Sequence, residues 1–242
     1  MVRRLAKLVM GIAAALGLAA CSSPDRTWHE KVTVRLDTPW GERVGSTVTA
    51  MTYKQRSKLE TWPSGNVHAI WRSGEAVVVD VRPNAPPGEP RYLFVLTPPP
   101  IFWPFELMHE RLGLKRAQYE EMAPLIAGMM GEPPVPVPPR LVPMMVTFRD
   151  VADPASVMGV ARTPEEATEK GWALPSEAFG AGVRLAGVTM EVVDEPITRG
   201  RIDQLLPWLG PDPEPSILPS VASDDFSVEA KLRHGDFRTV IP

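Results

Sequence analysis

The sequence has little of what most catalytic and metal sites are built from. It contains one cysteine and no Gly-x-Ser-x-Gly elbow or phosphate-binding glycine loop. Its histidines are far apart, and the pair His109-Glu110 begins a metalloprotease motif that no second histidine completes. These absences favour a protein without metal, cofactor or catalytic activity. The four histidines are His29, His68, His109 and His234.

Positive charge is also scarce. The 242 residues carry 26 basic and 29 acidic side chains, which gives a net charge of −3. Nucleic-acid binding requires a basic face, so we expect no nucleic-acid partner. The chain is 44% hydrophobic and 23% charged, which is typical of a globular protein with an ordinary apolar core.

The first twenty residues have the pattern of an export signal. Arg3, Arg4 and Lys7 precede an apolar run over residues 8–20 that is short for a permanent transmembrane helix. We expect residues 1–20 to be removed as a signal peptide. Their removal lowers the net charge from −3 to −6.

The run Leu18-Ala19-Ala20-Cys21 resembles the lipobox of bacterial lipoproteins with a type II signal peptide. In that family the cysteine sulfur is diacylglycerylated, the chain is cut before it, and the new amino terminus is acylated. The resemblance implies a palmitate-type lipid anchor at Cys21 and a tether over residues 21–30. Several acyl chains anchor a protein almost permanently. The alternative is a secreted protein with an Ala-x-Ala-like cleavage site and one remaining thiol.

The residues after Cys21 bear on the cellular location of the protein. The resemblance implies a position in the cell envelope facing the periplasm. Ser22 and Ser23 follow Cys21, whereas an aspartate directly after the cysteine retains enterobacterial lipoproteins in the inner membrane; its absence favours the outer membrane here.

Alternating apolar residues predict β-strands in the first third of the chain. Pro39-Trp40-Gly41-Glu42 supplies the turn of a first hairpin, and Ser73-Gly74-Glu75 that of a second. The predicted strands cover residues 31–37, 44–53, 67–72, 76–81 and 91–96.

The middle of the chain is rich in proline. Residues 83–143 hold 15 of the 28 prolines, so long regular elements are excluded there. Helical spacing over Leu114–Ala123 predicts one helix, which Pro124 should kink or end. The proline runs at 98–104 and 133–139 favour polyproline II, either as stiff surface connectors or as docking segments for an aromatic groove.

The last third of the chain again contains local patterns that predict helices and strands. Thr163-Pro164-Glu165-Glu166 is a helix start that Gly171 ends. Further elements are predicted as strands at 144–149 and 183–193 and a short helix at 202–206, followed by an extended C-terminal tail over residues 210–242.

These patterns predict an α+β, mainly β fold with antiparallel sheets and a Pro-rich, partly helical insertion over about residues 83–143. We expect a single globular domain over residues 31–209, because neither half could bury much apolar area alone. Two small domains are the alternative.

A second resemblance covers residues 146–209. Arg149-Asp150, Asp153-Pro154, Phe179-Gly180 and Leu206-Pro207-Trp208-Leu209 resemble a recurrent pattern in uncharacterised proteobacterial proteins, many with export signals. The resemblance implies kinship and no functional site.

Three groups of side chains are candidates for function. Paired carboxylates could catalyse by acid and base chemistry if one were desolvated, although their positions also suit turns. A basic cluster after the first hairpin could bind anionic lipid heads, or be a solvated strand end. Tryptophans near the hairpins could fill the core or line a carbohydrate or peptide groove. The groups are Asp150 with Asp153, Asp194 with Glu195 and Asp224 with Asp225; Lys54, Arg56 and Lys58; and Trp28, Trp40, Trp62 and Trp71.

The sequence therefore supports a functional hypothesis, although it identifies no catalytic site. We expect a lipid-anchored cell-envelope protein that acts as a binding or scaffolding module. Its partners would be the membrane, through lipidated Cys21, and an envelope protein or the cell wall. The alternative is an envelope hydrolase that uses carboxylate acid/base catalysis on the cell wall.

Overall fold

The structure, a computed structural model, describes residues 26–55, 68–97, 103–113, 119–210, 216–218 and 227–239. The strands are β1 (Arg26–Asp37), β2 (Arg43–Gln55), β3 (His68–Glu75), β4 (Val77–Asp80), β5 (Tyr92–Val95), β6 (Val135–Pro136), β7 (Met145–Phe148), β8 (Val157–Val160), β9 (Arg184–Val193) and β10 (Arg238–Thr239). The helices are α1 (Trp103–Leu112), α2 (Tyr119–Ala127), α3 (Pro164–Lys170), α4 (Pro175–Phe179), α5 (Arg201–Leu205), α6 (Val228–Lys231) and α7 (His234–Phe237).

The strands form two antiparallel sheets. The first has six strands in the order β10-β3-β2-β1-β9-β6, and the second has four in the order β4-β5-β7-β8. The predicted α+β, mainly β fold class is confirmed.

The first hairpin is as predicted, but β1 begins earlier. Arg26 already pairs with Tyr53, so residues 26–30 are part of the sheet and not of a tether over residues 21–30. Trp28 and Glu30 lie on the inward face and are buried. The sequence pattern missed this extension because a glutamate at an inward position breaks the apolar alternation.

The second predicted hairpin is wrong. β3 pairs with β2 in the first sheet, whereas β4 pairs with β5 in the second. The chain changes sheets at Ala76, whose N–H donates to the carbonyl of Phe237. Gly74 permits this turn with a φ of 146°, in a region that favours glycine.

The two sheets pack closely where β2 meets β4. A Cβ atom at Gly45 would lie 2.3 Å from the carbonyl oxygen of Val78, so only glycine fits there. One apolar core lies between the sheets and takes side chains from both, including Val34 and Met51 from the first and Leu93 and Met145 from the second.

The Pro-rich insertion contributes to this core. The run at 133–139 is not a connector laid over the surface, because Val135 and Val137 are buried, whereas most of the run at 98–104 lies outside the described residues. Leu107 and Met108 of α1 are buried, and β6 at Val135–Pro136 pairs with β9. Helix α2 contains Pro124 and continues to Ala127, because Ala123 and Ile126 are buried on either side of the proline.

A second core covers the other face of the second sheet. Phe94 and Phe148 meet α5 there, and the C-terminal segment adds Leu232 and Phe237. The described residues after 210 include α6, α7 and β10, which pairs with β3. The expectation of an extended tail over residues 210–242 is therefore wrong for these residues.

Other local predictions hold. Helix α3 is capped by Thr163, whose hydroxyl accepts from the N–H of Glu166, and ends at Gly171 with a φ of 65°. Strand β9 buries Val188, Met190 and Val192 as expected. Ala186 is exposed, contrary to prediction, because a bulge lies beside it in the pairing with β1.

Candidate functional site

The predicted carboxylate pair Asp150 and Asp153 lies in one exposed turn. The carboxylate of Asp150 accepts a hydrogen bond from the N–H of Ala152 at 2.9 Å, and that of Asp153 accepts one from Ala155 at 2.9 Å. The Ser156 hydroxyl donates to the carbonyl of Asp150 at 2.8 Å. Both carboxylates therefore hold a loop in place, as the turn interpretation expects.

The second pair belongs to the exposed end of β9. Glu195 forms an ion pair with Lys31 at 2.7 Å, and its carbonyl lies 2.6 Å from Nδ1 of His29. These contacts fix the chain after β9 against β1. Asp224 and Asp225 lie outside the described residues.

The three histidines with described side chains lie on different elements, with His29 on β1. His109 lies on α1 and His234 on α7, where its ring centroid is 6.3 Å from that of Trp208. Within the described ranges, no group of three or more His, Cys, Asp or Glu side chains could hold a metal ion. Lys54 is exposed on β2, whereas Cys21, Arg56 and Lys58 lie outside the described residues, as do Trp62 and the side chains of His68 and Trp71.

A buried ion pair lies inside the first sheet and was missed by the sequence analysis. Nε1 of Trp28 donates to Oε1 of Glu30 at 2.7 Å, and Nη2 of Arg72 lies 3.9 Å from Oε2 of Glu30. Burial raises the pKa of Glu30, an effect that Arg72 and the Trp28 bond only partly offset. The signal that could have found this pair is a charged residue at an inward position of each strand.

The cavity that Arg72 lines is too small for a substrate. Its volume is about 20 Å³, its wall includes Thr47, Thr49, Glu75 and Thr97, and Glu30 is not part of it. Such a volume holds about one water molecule. Glu30 and Arg72 therefore pair with each other inside the protein, and this cavity offers no room for a ligand larger than water.

The exposed site with the most distinctive chemistry lies at the turn of the first hairpin. Trp40 is 55% exposed although it is a large apolar side chain. It lines a depression of about 300 Å³, which we name the Trp40 site and define as Trp40, Arg43, Arg82, Pro83 and Asn84. The core-filling interpretation of the tryptophans is thus correct for buried Trp28 and wrong for Trp40.

The turn that carries Trp40 is fixed by its own hydrogen bonds. The Thr38 hydroxyl donates to the carbonyl of Gly41 at 2.6 Å and accepts from the N–H of Trp40 at 3.2 Å. Pro39 packs against Gly182, where a Cβ atom would lie 2.9 Å from its Cγ. The exposed indole is therefore presented by a well-supported backbone.

The second wall of the site comes from a distant part of the chain. The close packing of β4 on β2 at Gly45 brings residues 82–84, which follow β4, next to the hairpin turn. Nothing local in the sequence encodes this proximity, which is why the sequence analysis did not find the site.

Two arginines line the Trp40 site, and of these only Arg43 lacks an acidic partner among the described residues. Nε of Arg43 is buried and has no hydrogen-bond partner among the described residues. Arg82 donates through Nη1 to Glu89 at 2.7 Å. Glu42, next to Arg43 in the sequence, lies 3.9 Å from Arg35. No acidic side chain lines the depression among the described residues, so the site favours an anionic group.

Comparisons with known proteins leave the site to be interpreted from its own chemistry. No family model, curated protein or solved structure matches this chain. In the part of the chain that the structure describes, no helix is long and apolar enough to cross a membrane.

A second depression, of about 350 Å³, is less distinctive. It is lined by the loop over residues 85–89, by Tyr92 and by Asp150, whose carboxylate is engaged in its own turn. It has two arginines: Arg91 forms two hydrogen bonds with Asp80 at 2.9 and 2.7 Å, so its charge is neutralised, whereas Arg149 is exposed. Because Glu89 and Asp150 also line this depression, it suits an anionic group less well than the Trp40 site does.

Proposed function

We propose that this protein is a binding module of the bacterial cell envelope, held at the periplasmic face of the outer membrane by lipid on Cys21. The observation that carries the proposal of binding is the Trp40 site, where an exposed indole stands beside Arg43 in a fixed turn. Exposed aromatic and arginine side chains in a supported geometry are typical anchors for a bound partner.

The position of the site in the fold supports this function. Arg26, the first residue of β1, follows Cys21 by five residues, which can span at most about 18 Å. The 12 residues of β1 extend about 36 Å from that end to the hairpin turn. A lipid at Cys21 would thus hold the near end of the sheet at the membrane and leave the Trp40 site directed away from it.

The roles of the carboxylates favour binding over the hydrolase hypothesis. Asp150 and Asp153 serve a turn, and Glu195 forms an ion pair with Lys31. Glu30 is buried, and the cavity that its partner Arg72 lines holds about one water molecule. These contacts give Asp150, Asp153 and Glu195 structural roles that require no catalysis.

The anchor is tested by labelling. Cys21→Ala should abolish incorporation of labelled palmitate and leave unprocessed precursor, because the cysteine thiol accepts the lipid in the lipoproteins that the lipobox resembles. Ser22→Ala serves as the control and should label normally. Undiminished labelling of Cys21→Ala would show that the anchor lies elsewhere.

The binding function is tested by photo-crosslinking in intact cells. A photoreactive amino acid in place of Asn84 should give one discrete crosslinked envelope species, whereas the same group in place of exposed Met130 should not. The species from position 84 should be lost in the Trp40→Ala background. Equal products from both positions, or none from position 84, would contradict the proposal.

A further inference from the structure

We infer that the Trp40 site binds a hexose ring that carries an anionic group. This inference rests on the proposed binding function and names the ligand class for the same site. It follows from three properties of the lining residues, which are an exposed aromatic side chain, an arginine (Arg43) without an acidic partner among the described residues, and a neighbouring amide.

The indole of Trp40 supplies the surface on which a sugar ring can stack. One face of a pyranose ring presents C–H groups, whereas its edge presents hydroxyls, so it needs an apolar partner with polar groups around it. Trp40 is 55% exposed, and the hydrogen bonds of Thr38 fix its backbone before a ligand arrives. Little conformational freedom of this turn is therefore lost on binding.

The arginines determine the charge of the ligand. A guanidinium group donates two parallel charge-assisted hydrogen bonds to a carboxylate or phosphate, and these are stronger than the bonds that the hydroxyls of a neutral sugar accept. Arg43 lines the depression and has no acidic partner among the described residues, whereas Arg82 is paired with Glu89. The Nε of Arg43 is buried, so an anionic group on the ring would have to pair with the other nitrogens of its guanidinium.

Size and the remaining polar group agree with a single ring. The depression of about 300 Å³ is at the lower end of the range for small-molecule sites, about 300–1,000 Å³. The side-chain amide of Asn84 can both donate to and accept from ring hydroxyls or an acetamido group. The acidic net charge of the chain argues against a polyanion as the ligand.

The test compares sugars that share one ring and differ in charge. The full chain, purified in detergent, is titrated with N-acetylglucosamine, N-acetylmuramic acid and N-acetylglucosamine 6-phosphate, and binding is followed by saturation-transfer NMR. At least one anionic sugar should bind about tenfold more tightly than the neutral one, as expected for one additional charge-assisted pair. The carboxylate and phosphate arms distinguish the two possible anionic groups. Equal affinity for all three sugars, or no binding of either anionic sugar, would overturn the inference.

Two variants test which residues bind the sugar ring and which cause the preference for an anionic sugar. Trp40→Ala should weaken every sugar by about tenfold or more, whereas Arg43→Gln should remove the preference for the anionic sugar. Arg149→Gln, which changes an exposed arginine of the other depression, is the matched control and should bind as wild type. Thermal unfolding verifies that each variant is folded, and Arg82→Gln provides the same test should Arg43→Gln unfold. A retained preference in the folded arginine variant, or its loss in Arg149→Gln, would overturn the assignment.

The ligand class and the binding function can fail separately. If neither anionic sugar binds but the crosslink from position 84 still depends on Trp40, the ligand class is wrong and the binding function stands. If the sugars bind with the expected preference but the crosslink is absent, the site is a sugar site and the proposed envelope partner is wrong.

Discussion

The two sheets bury different chemistry. Strands β4, β5 and β7 of the second sheet lie between two cores, and residues 77–79 and 93–95 are buried on both faces. The first sheet instead places Glu30 and Arg72 among its inward side chains. The interior around the second sheet is therefore filled by apolar side chains, whereas the interior beside the first sheet also contains a buried ion pair.

The difference concerns how sensitive each region is to change. An apolar side chain in a dense core loses contacts in proportion to the volume removed. A buried ion pair adds little net stability, because desolvation offsets the attraction, but removal of one partner leaves a charge without compensation. Single substitutions should therefore damage both sheets, whereas a double substitution should distinguish them.

The largest effect is expected in the second core. Phe237 is fully buried, and its ring centroid lies 5.9 Å from that of Phe148 and 6.1 Å from that of Phe94. Phe237→Ala should lower the free energy of unfolding by about 4 kcal/mol in urea denaturation. Met130→Ala, at a 55% exposed position, should change it by less than about 0.5 kcal/mol. A small effect of Phe237→Ala would show that the C-terminal segment does not stabilise the second sheet.

The next effect is expected at the buried ion pair. Arg72→Met should cost about 3 kcal/mol, because Glu30 would remain buried without its cation. The double variant Glu30→Leu with Arg72→Met should be more stable than Arg72→Met alone. Urea denaturation at neutral pH measures both, and a double variant less stable than the single one would contradict this account.

The pH dependence of the same variant sharpens the test. Burial already raises the pKa of Glu30, and loss of Arg72 would raise that pKa further. A raised carboxyl pKa favours folding at low pH, so the deficit of Arg72→Met should shrink as the pH falls. Lys31→Met removes an exposed ion pair with Glu195 as the control and should cost less than about 1 kcal/mol.

The sequence predicts those elements whose signals are local. The hairpin of β1 and β2 follows from alternation and a turn, and α3 from the cap at Thr163. The change of sheet after β3 was not predictable, because it depends on Gly74 and on a hydrogen bond between Ala76 and Phe237, far apart in the chain. Helix α1 was missed because the prolines around it suppress any helical pattern.

The candidate site was only partly predictable. The sequence indicates that Trp40 lies in a turn, but its exposure depends on what packs around that turn. Arg43 and Arg82 meet Trp40 only because Gly45 lets β4 approach β2. The sequence does not show that β4 lies close to β2. It therefore could not show that these arginines meet beside Trp40.

The smallest effect compares two buried carboxylates with opposite pKa shifts. Burial alone would raise the pKa of Glu166, but hydrogen bonds from Arg162 and Lys170 outweigh it and lower the pKa to about 2. Glu166 accepts from Nε of Arg162 at 2.6 Å and Nζ of Lys170 at 2.8 Å, whereas the closest Arg72 contact of Glu30 is 3.9 Å. The number and length of the bonds to cations therefore decide the direction of the shift.

The stability carried by Glu166 should depend on pH in the direction that a lowered pKa requires. The folded-state pKa of about 2 lies below the usual glutamate value of 4.5, so the contribution is complete above about pH 5 and is lost as the pH falls toward 2. Glu166→Gln should cost about 1–2 kcal/mol at pH 7 after solvent screening is taken into account, and almost nothing near pH 2. Denaturation across this range, with exposed Glu169→Gln on the same helix as the control, measures the difference. If the stability deficit of Glu166→Gln stays constant from pH 7 to pH 2, the ion cluster contributes packing and hydrogen bonds but no charge-dependent stability.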